Sequence, residues 1–265
     1  MRPHRIHLPD TESTNLYAKT IGPKEEFTLI TTDYQTAGRG QRGNTWESEK
    51  GKNLLFSLII QPCRIQASQQ FVICELISIA ICDVLKRYIS DIHIKWPNDI
   101  YHRDHKLCGI LIEHDIEGTH LSRSIIGVGL NVNQAEFVSD APNPISLLQI
   151  LDHEIEREAL LDEIVAHFYK LYTQYTAPSP TLDRYTLHTR YTMQLYRKDS
   201  LATYRDAEGP FIATLRDVAP DGRLLLEDQQ GTLRSYLFKE VAYIIDAPKY
   251  RHMQTPTESR SYRKD

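Results

Sequence analysis

Two long segments of helical period enclose a stretch of β-type sequence, and this order constrains the fold more than any other feature. Between Ser68 and Tyr88 the apolar side chains recur at steps of three and four residues, as on a helix with one buried face. The same period returns in residues 160–175, and this second helix should end before Pro178. Between the helices, residues 91–133 form short β-branched runs separated by turn-forming clusters. The sequence therefore predicts successive hairpins in a mixed or antiparallel sheet, with helices on one face.

The pattern changes after about residue 180, where short apolar runs alternate with Gly-containing turns. The runs are Met193–Tyr196, Phe211–Leu215, Leu224–Leu226, Tyr236–Phe238 and Val241–Ile245. Closely spaced short strands of this kind indicate a small barrel. We therefore expect an α+β domain over residues 1–180, a small β domain over residues 189–246 and a mobile tail over residues 247–265.

Composition excludes several classes of protein. A net charge of -4 argues against a broad basic surface for nucleic acid. The first ten residues contain no apolar core of a secretory signal, and the four cysteines form no Cys-x-x-Cys pair. The longest apolar candidate, residues 71–85, contains Glu75 and Asp83, which argues against membrane insertion. A cytoplasmic protein with reduced thiols and without a DNA or membrane partner is expected.

Five motifs contain residues suited to ligand chemistry. They are Glu12–Asn15, Gln35–Gly43, Lys95–Asp99, Lys106–Glu113 and Gly127–Asn133. In the second, three glycines let the backbone approach a ligand, and Arg39 and Arg42 suit phosphate oxygens. In the third, a lysine, an amide and a carboxylate at a strand end can hold a phosphate, a sugar hydroxyl or Mg²⁺. In the fourth, Lys106 can neutralise a carboxylate that must approach a phosphate.

Each motif also has a structural interpretation when it is taken alone. Ser13 or Thr14 can cap a helix by accepting a backbone N–H, and the glycine loop can be a flexible basic loop or a nucleic-acid contact. Pro97 with its Asn and Asp neighbours is turn chemistry. A lysine at a strand edge opposes aggregation, and the last glycines can mark a bulge or close strand packing. No single motif decides between these interpretations.

In order and content together, the five motifs resemble those of the biotin protein ligase family. The matching strings are Glu12-Ser-Thr-Asn15, Gln35-Thr-Ala-Gly-Arg-Gly40, Lys95-Trp-Pro-Asn-Asp99, Lys106-Leu-Cys-Gly109 and Gly127-Val-Gly-Leu-Asn131. The resemblance is strong over residues 10–135 and extends by pattern only to a C-terminal SH3-like barrel. It implies an enzyme that uses ATP and Mg²⁺ to convert biotin to biotinyl-5'-AMP. The biotin then passes to a lysine of a biotin carboxyl carrier protein, the acceptor domain of a carboxylase such as acetyl-CoA carboxylase.

The resemblance also assigns roles to individual residues. Biotin contact is implied for Ser13, Thr14, Asn15, Gln35, Gly38, Arg39, Gly40, Gln41, Lys106 and Gly109. ATP or adenylate contact is implied for Arg42, Trp46, Lys95, Asn98 and Asn131. Lys106, Arg39 and Asp99 are the expected catalytic residues, and Asp99 is also the expected Mg²⁺ ligand.

The sequence departs from the family pattern at Gln41, where many members have arginine, so one charge is missing beside the expected adenylate. About ten residues precede the first motif, too few for the DNA-binding module of some members, and a ligase without DNA binding is expected as a monomer or homodimer. Two other functions stay open. A lipoate protein ligase shares the fold and the adenylate chemistry, and a non-catalytic biotin or biotinyl-adenylate sensor would share the pocket.

Overall fold

The computed structural model describes residues 3–22, 27–40, 44–139 and 143–245. Its central feature is a seven-stranded sheet in the order β1-β2-β3-β7-β6-β5-β4. β1 and β2 pair in parallel, and all other neighbours in this sheet are antiparallel. The strands are β1 His4–Leu8, β2 Phe27–Thr32, β3 Leu54–Ile60, β4 Ile92–Lys95, β5 Asp99–His102, β6 His105–Glu117 and β7 His120–Leu130. The hairpins predicted for residues 91–133 are confirmed by the consecutive pairing of β4 to β7.

Helices lie on both faces of this sheet. They are α1 Thr14–Thr20, α2 Phe71–Leu85, α3 Leu147–Leu151, α4 Arg157–Thr176 and α5 Arg184–Thr192. α2 is buried along almost its whole length and packs against β4, β5, α4 and α5. α1 packs against β2, β3 and β7. The mixed α+β class is confirmed, whereas the expectation that the helices share one face is wrong because α1 has its own apolar cluster.

The two apolar clusters show which side chains of β3 point to each face. Phe56 and Leu58 belong to the main core with α2, whereas Ile59 packs in the smaller cluster with Ala18 of α1. Since successive side chains of a strand point to opposite faces, Ser57 lies on the same face as Ile59. We call this the α1 face of the sheet.

A second sheet forms the C-terminal part of the described chain. Its strands run antiparallel in the order β11-β10-β9-β8-β12. They are β8 Leu201–Asp206, β9 Gly209–Val218, β10 Leu224–Asp228, β11 Leu233–Tyr236 and β12 Ala242–Tyr243. This arrangement fits the small β domain expected from the sequence. The predicted tail begins at residue 247 and lies outside the described residues.

The sequence prediction fails locally near the start of this domain. The run Met193–Tyr196 is not a strand, because Met193 follows the last residue of α5 and Leu195 makes only an isolated bridge to Ile94. α5 itself was missed because its sequence is polar and its position depends on contacts with α2. The domain limits at residues 180 and 189 stay a prediction, and α5 lies across the second of them.

The segment Ala67–Leu85 is long and apolar enough to cross a membrane by length and composition alone. The sequence argument considered only residues 71–85 and therefore took too short a segment. In the fold, 72% of this stretch is buried inside the protein. Its burial is that of the core helix of a globular fold.

Candidate active site

A cavity of about 830 Å³ opens on the α1 face of the large sheet. The sequence-predicted residues that line it are Ser13, Thr14, Asn15, Gln35, Arg39, Gly40, Trp46, Lys95, Asn98, Asp99, Lys106, Gly109 and Asn131. Lining residues without a role in the sequence analysis include Glu47, Tyr101, Phe137, Ser139, Asn143 and Phe238. The predicted residues Gln41 and Arg42 lie outside the described residues. The fold thus gathers all five motifs around one cavity.

Three glycines form the floor of the cavity where β6 and β7 pair. Gly109 lies opposite Gly129, and Gly127 lies opposite Ser57, so these residues share the α1 face. A Cβ at Gly129 would lie 2.5 Å from Trp46 Cε2, and one at Gly109 would lie 2.7 Å from Trp46 Cζ3. Gly109 and Gly129 are therefore needed because the Trp46 indole lies directly on the sheet, whereas a Cβ at Gly127 would clash with Asn15 Oδ1.

A chain of neutral hydrogen bonds forms one end of the cavity. Gln35 Oε1 accepts from the Thr14 amide at 2.9 Å. The buried Ser57 hydroxyl lies 2.7 Å from Thr14 Oγ1 and 2.6 Å from Asn15 Oδ1. Asn15 Nδ2 donates to the carbonyl of Leu111. This end offers hydroxyl and amide groups held in fixed directions, which suits a neutral polar ligand.

The same contacts correct the helix-cap interpretation of the first motif. Ser13 occupies the N-cap position of α1, but its side chain makes no capping hydrogen bond. The first free amide of the helix, that of Thr14, is instead met by Gln35 from another motif. The hydroxyl and amide groups of this segment are therefore directed to the cavity and not to capping.

Ser57 was missed because it lies inside the apolar run Leu54–Ile60, where the sequence predicts a core strand. It is the only hydroxyl residue in that run. A polar side chain at a position where the strand period predicts burial normally needs a partner, so its presence was a usable signal. Only the fold reveals that Thr14 and Asn15 supply the partners.

The opposite end of the cavity is charged. Lys106 Nζ lies 2.8 Å from Asp99 Oδ2 and 5.7 Å from the centre of the Trp46 ring. Lys95 and Asp99 are opposite each other in the backbone register of the β4–β5 hairpin. Together with Arg39, these two lysines outnumber the carboxylates among the described lining residues, which leaves net positive charge for an anionic ligand.

Lys95 is held among aromatic rings from both sheets. Its Nζ lies 5.2 Å from the ring centre of Tyr101 and 5.1 Å from that of Tyr243, a residue of β12. Burial lowers the pKa of Lys95, and the nearby Asp99 carboxylate offsets part of this effect. The C-terminal sheet thus contributes directly to the environment of a cavity lysine.

Other residues of the third motif have structural contacts. Asn98 lines the cavity, but its Nδ2 donates to the Ile110 carbonyl at 2.9 Å and so fastens the β4–β5 turn to β6. Trp96 Nε1 donates to the Gly222 carbonyl, and its ring packs on Phe238. The motif therefore joins the two sheets as well as lining the site.

The described part of the glycine loop lies antiparallel to the segment that carries Trp46. The Trp46 amide donates to the Gly38 carbonyl at 2.9 Å, and the Gly40 amide donates to the Asn44 carbonyl at 2.7 Å. A Cβ at Gly38 would lie 2.6 Å from the Trp46 carbonyl oxygen, which explains the glycine. Gly38 packs against this segment, whereas Arg39 and Gly40 line the cavity.

Two buried polar atoms of cavity residues have no hydrogen-bond partner in the described structure. They are Asn131 Oδ1 and Trp46 Nε1. The Asn131 amide nitrogen is already used, because it donates to the Ile145 carbonyl at 3.0 Å. Since an unpaired buried polar atom is costly, these atoms are candidate contacts for a bound ligand.

Comparison with known proteins identifies the relatives of this fold and site. Residues 8–131 match the model of the biotin/lipoate A/B protein ligase family. The bifunctional ligase/repressor BirA of Bacillus spizizenii is 30% identical over 250 residues, which cover 89% of this chain and 73% of that protein. The chain belongs to the biotin/lipoate A/B protein ligase family.

Two further relatives agree with this membership. The biotin–[acetyl-CoA-carboxylase] ligase of Paracoccus denitrificans is 27% identical over 174 residues, which cover 63% of this chain and 72% of that protein. The biotin protein ligase of Aquifex aeolicus, solved in complex with biotin and ATP, superposes with a TM-score of 0.75 at 20% identity. That superposition covers 91% of this chain and 99% of the Aquifex chain. The ligase fold therefore extends through both sheets of the protein.

Proposed function

We propose that this protein is a biotin protein ligase, which adenylates biotin with ATP and transfers it to an acceptor lysine. One observation carries the proposal. In a member of this family, a single cavity joins a neutral hydrogen-bonding end to an end with two lysines and a carboxylate. Biotin has the matching polarity, with a neutral ureido ring at one end and a carboxylate at the other. Its apolar chain would lie between these two ends.

The neutral end suits the ureido group of biotin. This group presents one carbonyl oxygen and two N–H groups, and each needs a partner when it is withdrawn from water. Ser13, Thr14 and Gln35 line this end and supply hydroxyl and amide atoms. Ser57 orients Thr14 and Asn15 from behind. A fixed hydrogen-bond pattern of this kind selects biotin over ligands without the ureido ring.

The charged end suits the first half-reaction. A biotin carboxylate oxygen attacks the α-phosphorus of ATP, the bond to the β-phosphate oxygen breaks, and pyrophosphate leaves. Both reactants are anions, so their approach needs positive charge. Lys106, at the start of β6, supplies it. Lys95 and Arg39 add further charge at the cavity wall. The protein acts by orientation and electrostatic stabilisation and needs no covalent nucleophile.

Asn131 and Asp99 are the proposed contacts for the nucleotide and its metal. The unpaired Oδ1 of Asn131 can accept from the exocyclic amine of adenine. The described residues contain no group of three or more His, Cys, Asp or Glu suited to a metal. A single carboxylate such as Asp99 is sufficient for Mg²⁺, because this ion commonly takes one or two carboxylates and completes its coordination shell with phosphates and water. Bound there, Mg²⁺ would neutralise phosphate charge.

In the second half-reaction, the neutral amine of an acceptor lysine attacks the mixed anhydride and AMP leaves. The acceptor class we propose is the biotin carboxyl carrier domain of a carboxylase, supported by the acetyl-CoA carboxylase named for the Paracoccus relative. We place the reaction in the cytoplasm, in keeping with four free cysteines.

Pyrophosphate release on adding biotin and MgATP to the purified protein tests the proposal. Release with biotin and none with lipoate is expected, followed by biotin transfer to a carboxyl carrier domain. Equal release with lipoate would favour a lipoate ligase. Tight binding of biotin without any pyrophosphate release would favour a sensor.

A further inference from the structure

Glu47 directly follows Trp46, yet neither the motifs nor the proposed chemistry gives it a role. Its side chain lines the cavity at the edge of the segment that carries Trp46. The carboxylate faces a different part of the chain, the loop of residues 134–139 that follows β7. Asn131 and Asn143, which precede and follow this loop in the sequence, also line the cavity.

Both oxygens of the Glu47 carboxylate are occupied by this loop. Oε1 accepts from the Val138 amide at 2.9 Å and from Gln134 Nε2 at 3.3 Å. Oε2 accepts from the Ser139 amide at 2.8 Å. Partial burial raises the pKa of Glu47, but hydrogen bonds from the Ser139 hydroxyl and the two backbone amides outweigh this, and the net pKa is lowered. The group is therefore an anion at neutral pH, and charge-assisted bonds of this kind are stronger than neutral ones.

Gln134 forms a second connection between the same two segments. Its buried amide oxygen accepts from the Glu49 backbone N–H at 3.0 Å and from Asn53 Nδ2 at 2.5 Å. Its amide nitrogen donates to Glu47 and to the Glu136 carbonyl at 2.8 Å. Gln134 holds the start of the loop, whereas Glu47 alone receives the two successive amides at its far end.

The loop matters because it forms part of the cavity wall. Phe137 and Ser139 both line the cavity, between Asn131 and Asn143. The Asn143 carbonyl accepts from the Lys106 amide at 2.7 Å, which places Asn143 beside the charged end. The segment held by Glu47 is thus part of the cavity wall, and it follows the proposed adenine contact Asn131 along the chain.

We propose that Glu47 is a positioning residue that fastens residues 134–139 to the Trp46 segment and so shapes the nucleotide end of the cavity. The nucleotide in this inference rests on the proposed function, whereas the contacts between Glu47 and the loop do not depend on it. Both oxygens of the Glu47 carboxylate accept from backbone amides of the loop. Glu47 acts through Phe137 and Ser139, which wall the nucleotide site.

Glu47→Gln and Glu47→Ala test this role. Glutamine keeps the size of the side chain but replaces one acceptor oxygen by an N–H group, which would face the donor amide of Ser139 or Val138. We expect KM for ATP to rise roughly tenfold in both variants, as for the loss of a charge-assisted contact. KM for biotin should stay within about twofold, because the neutral end is built from other elements.

Glu49→Gln is the matched control. Glu49 lies two residues after Glu47, and its side chain is exposed. The variant removes the same charge and leaves the hydrogen bond from the Glu49 backbone N–H to Gln134 in place. Wild-type KM values and an unchanged melting temperature are expected for this variant. Unchanged KM for ATP in both Glu47 variants would overturn the proposal. Equal changes for biotin and ATP, together with a lower melting temperature, would also overturn it by assigning Glu47 a general structural role.

Amide hydrogen exchange separates this inference from the proposed activity. In the wild type without ligands, the Val138 and Ser139 amides should exchange slowly because the carboxylate accepts from both. In Glu47→Gln the exchange rates of these two amides should rise roughly tenfold or more, whereas the exchange rates of amides in β3 and α2 should change little. Fast exchange of both amides in the wild type would refute the connection whatever the substrate is. Absence of pyrophosphate release by the wild type would refute only the function.

Discussion

Replacing Lys106 with alanine should remove most of the adenylation activity while leaving the fold intact. The ammonium is a preorganised cation at the point where two anions must meet, 2.8 Å from Asp99 and over the Trp46 ring. Removal of one preorganised donor costs about 2–4 kcal/mol of transition-state stabilisation, which is roughly 30- to 900-fold in kcat/KM. The loss should appear mainly in kcat.

The effect on stability should be much smaller. The side chains of Lys106 and Asp99 are 32% and 25% exposed, so solvent screens their ion pair. Its loss should reduce the free energy of unfolding by less than about 1 kcal/mol, the usual range for accessible pairs. No core cavity is created, because the lysine lies at the start of β6 and its side chain is partly exposed to solvent.

Single-turnover pyrophosphate release with saturating biotin and MgATP measures the chemical step, and thermal unfolding measures the fold. Lys52→Ala is the matched control, because Lys52 also pairs with a carboxylate, Glu154 Oε1 at 2.9 Å, but away from the cavity. Lys106→Met keeps the side-chain length without the charge and should behave like Lys106→Ala. Near-normal rates in Lys106→Met would refute the electrostatic reasoning, and equal loss in Lys52→Ala would refute the assignment to Lys106.

Three further predictions follow from the cavity and from the contact between α2 and α5. Gly129→Ala should displace the Trp46 indole, lower stability by about 1–3 kcal/mol through overpacking and weaken ligand binding, as checked by thermal unfolding and calorimetry. Ser57→Ala should weaken biotin binding and cost about 1–3 kcal/mol of stability, because it removes the donor between two cavity residues. The hydrogen bond to the buried Glu75 carboxylate raises the pKa of His188 above 6.5 in the folded state. Its stabilisation should be complete below pH 6.5 and lost as pH rises through the raised pKa, and His188→Gln should flatten that part of the stability curve.

Matched variants make these outcomes decisive. Thr28→Val removes a buried hydroxyl that has no hydrogen-bond partner in the described structure and should be neutral or stabilising, in contrast to Ser57→Ala. Gly118→Ala lies where an added Cβ meets nothing within 4 Å, so its cost should come only from its positive φ and should leave binding unchanged. For His188, unfolding is compared from pH 5.5 to 9, and identical pH dependence in wild type and variant would contradict the role of Glu75.

The sequence by itself determined the elements with a strong local period and the order of the chemical motifs. The period of α2 and α4 and the hairpin pattern of residues 91–133 are local properties, so they could be predicted without knowing any partner. The motif residues could be named because the order and content of the five strings resemble those of the biotin protein ligase family. Lys106 and Asp99 were selected on this basis, and the structure places them in contact.

Other features were decided only by the tertiary structure, because they depend on which distant segments pack together. The sequence of α5 is polar, and this helix is positioned by α2. The sequence predicts Ser57 to be part of a core strand. Only the fold shows that it contacts Thr14 and Asn15. From the sequence alone, Glu47 would be expected at the surface. The fold shows that its carboxylate accepts hydrogen bonds from the loop after β7. Local sequence sets the period of an element, but the face that becomes a site is set by the summed packing and hydrogen bonding of the whole chain.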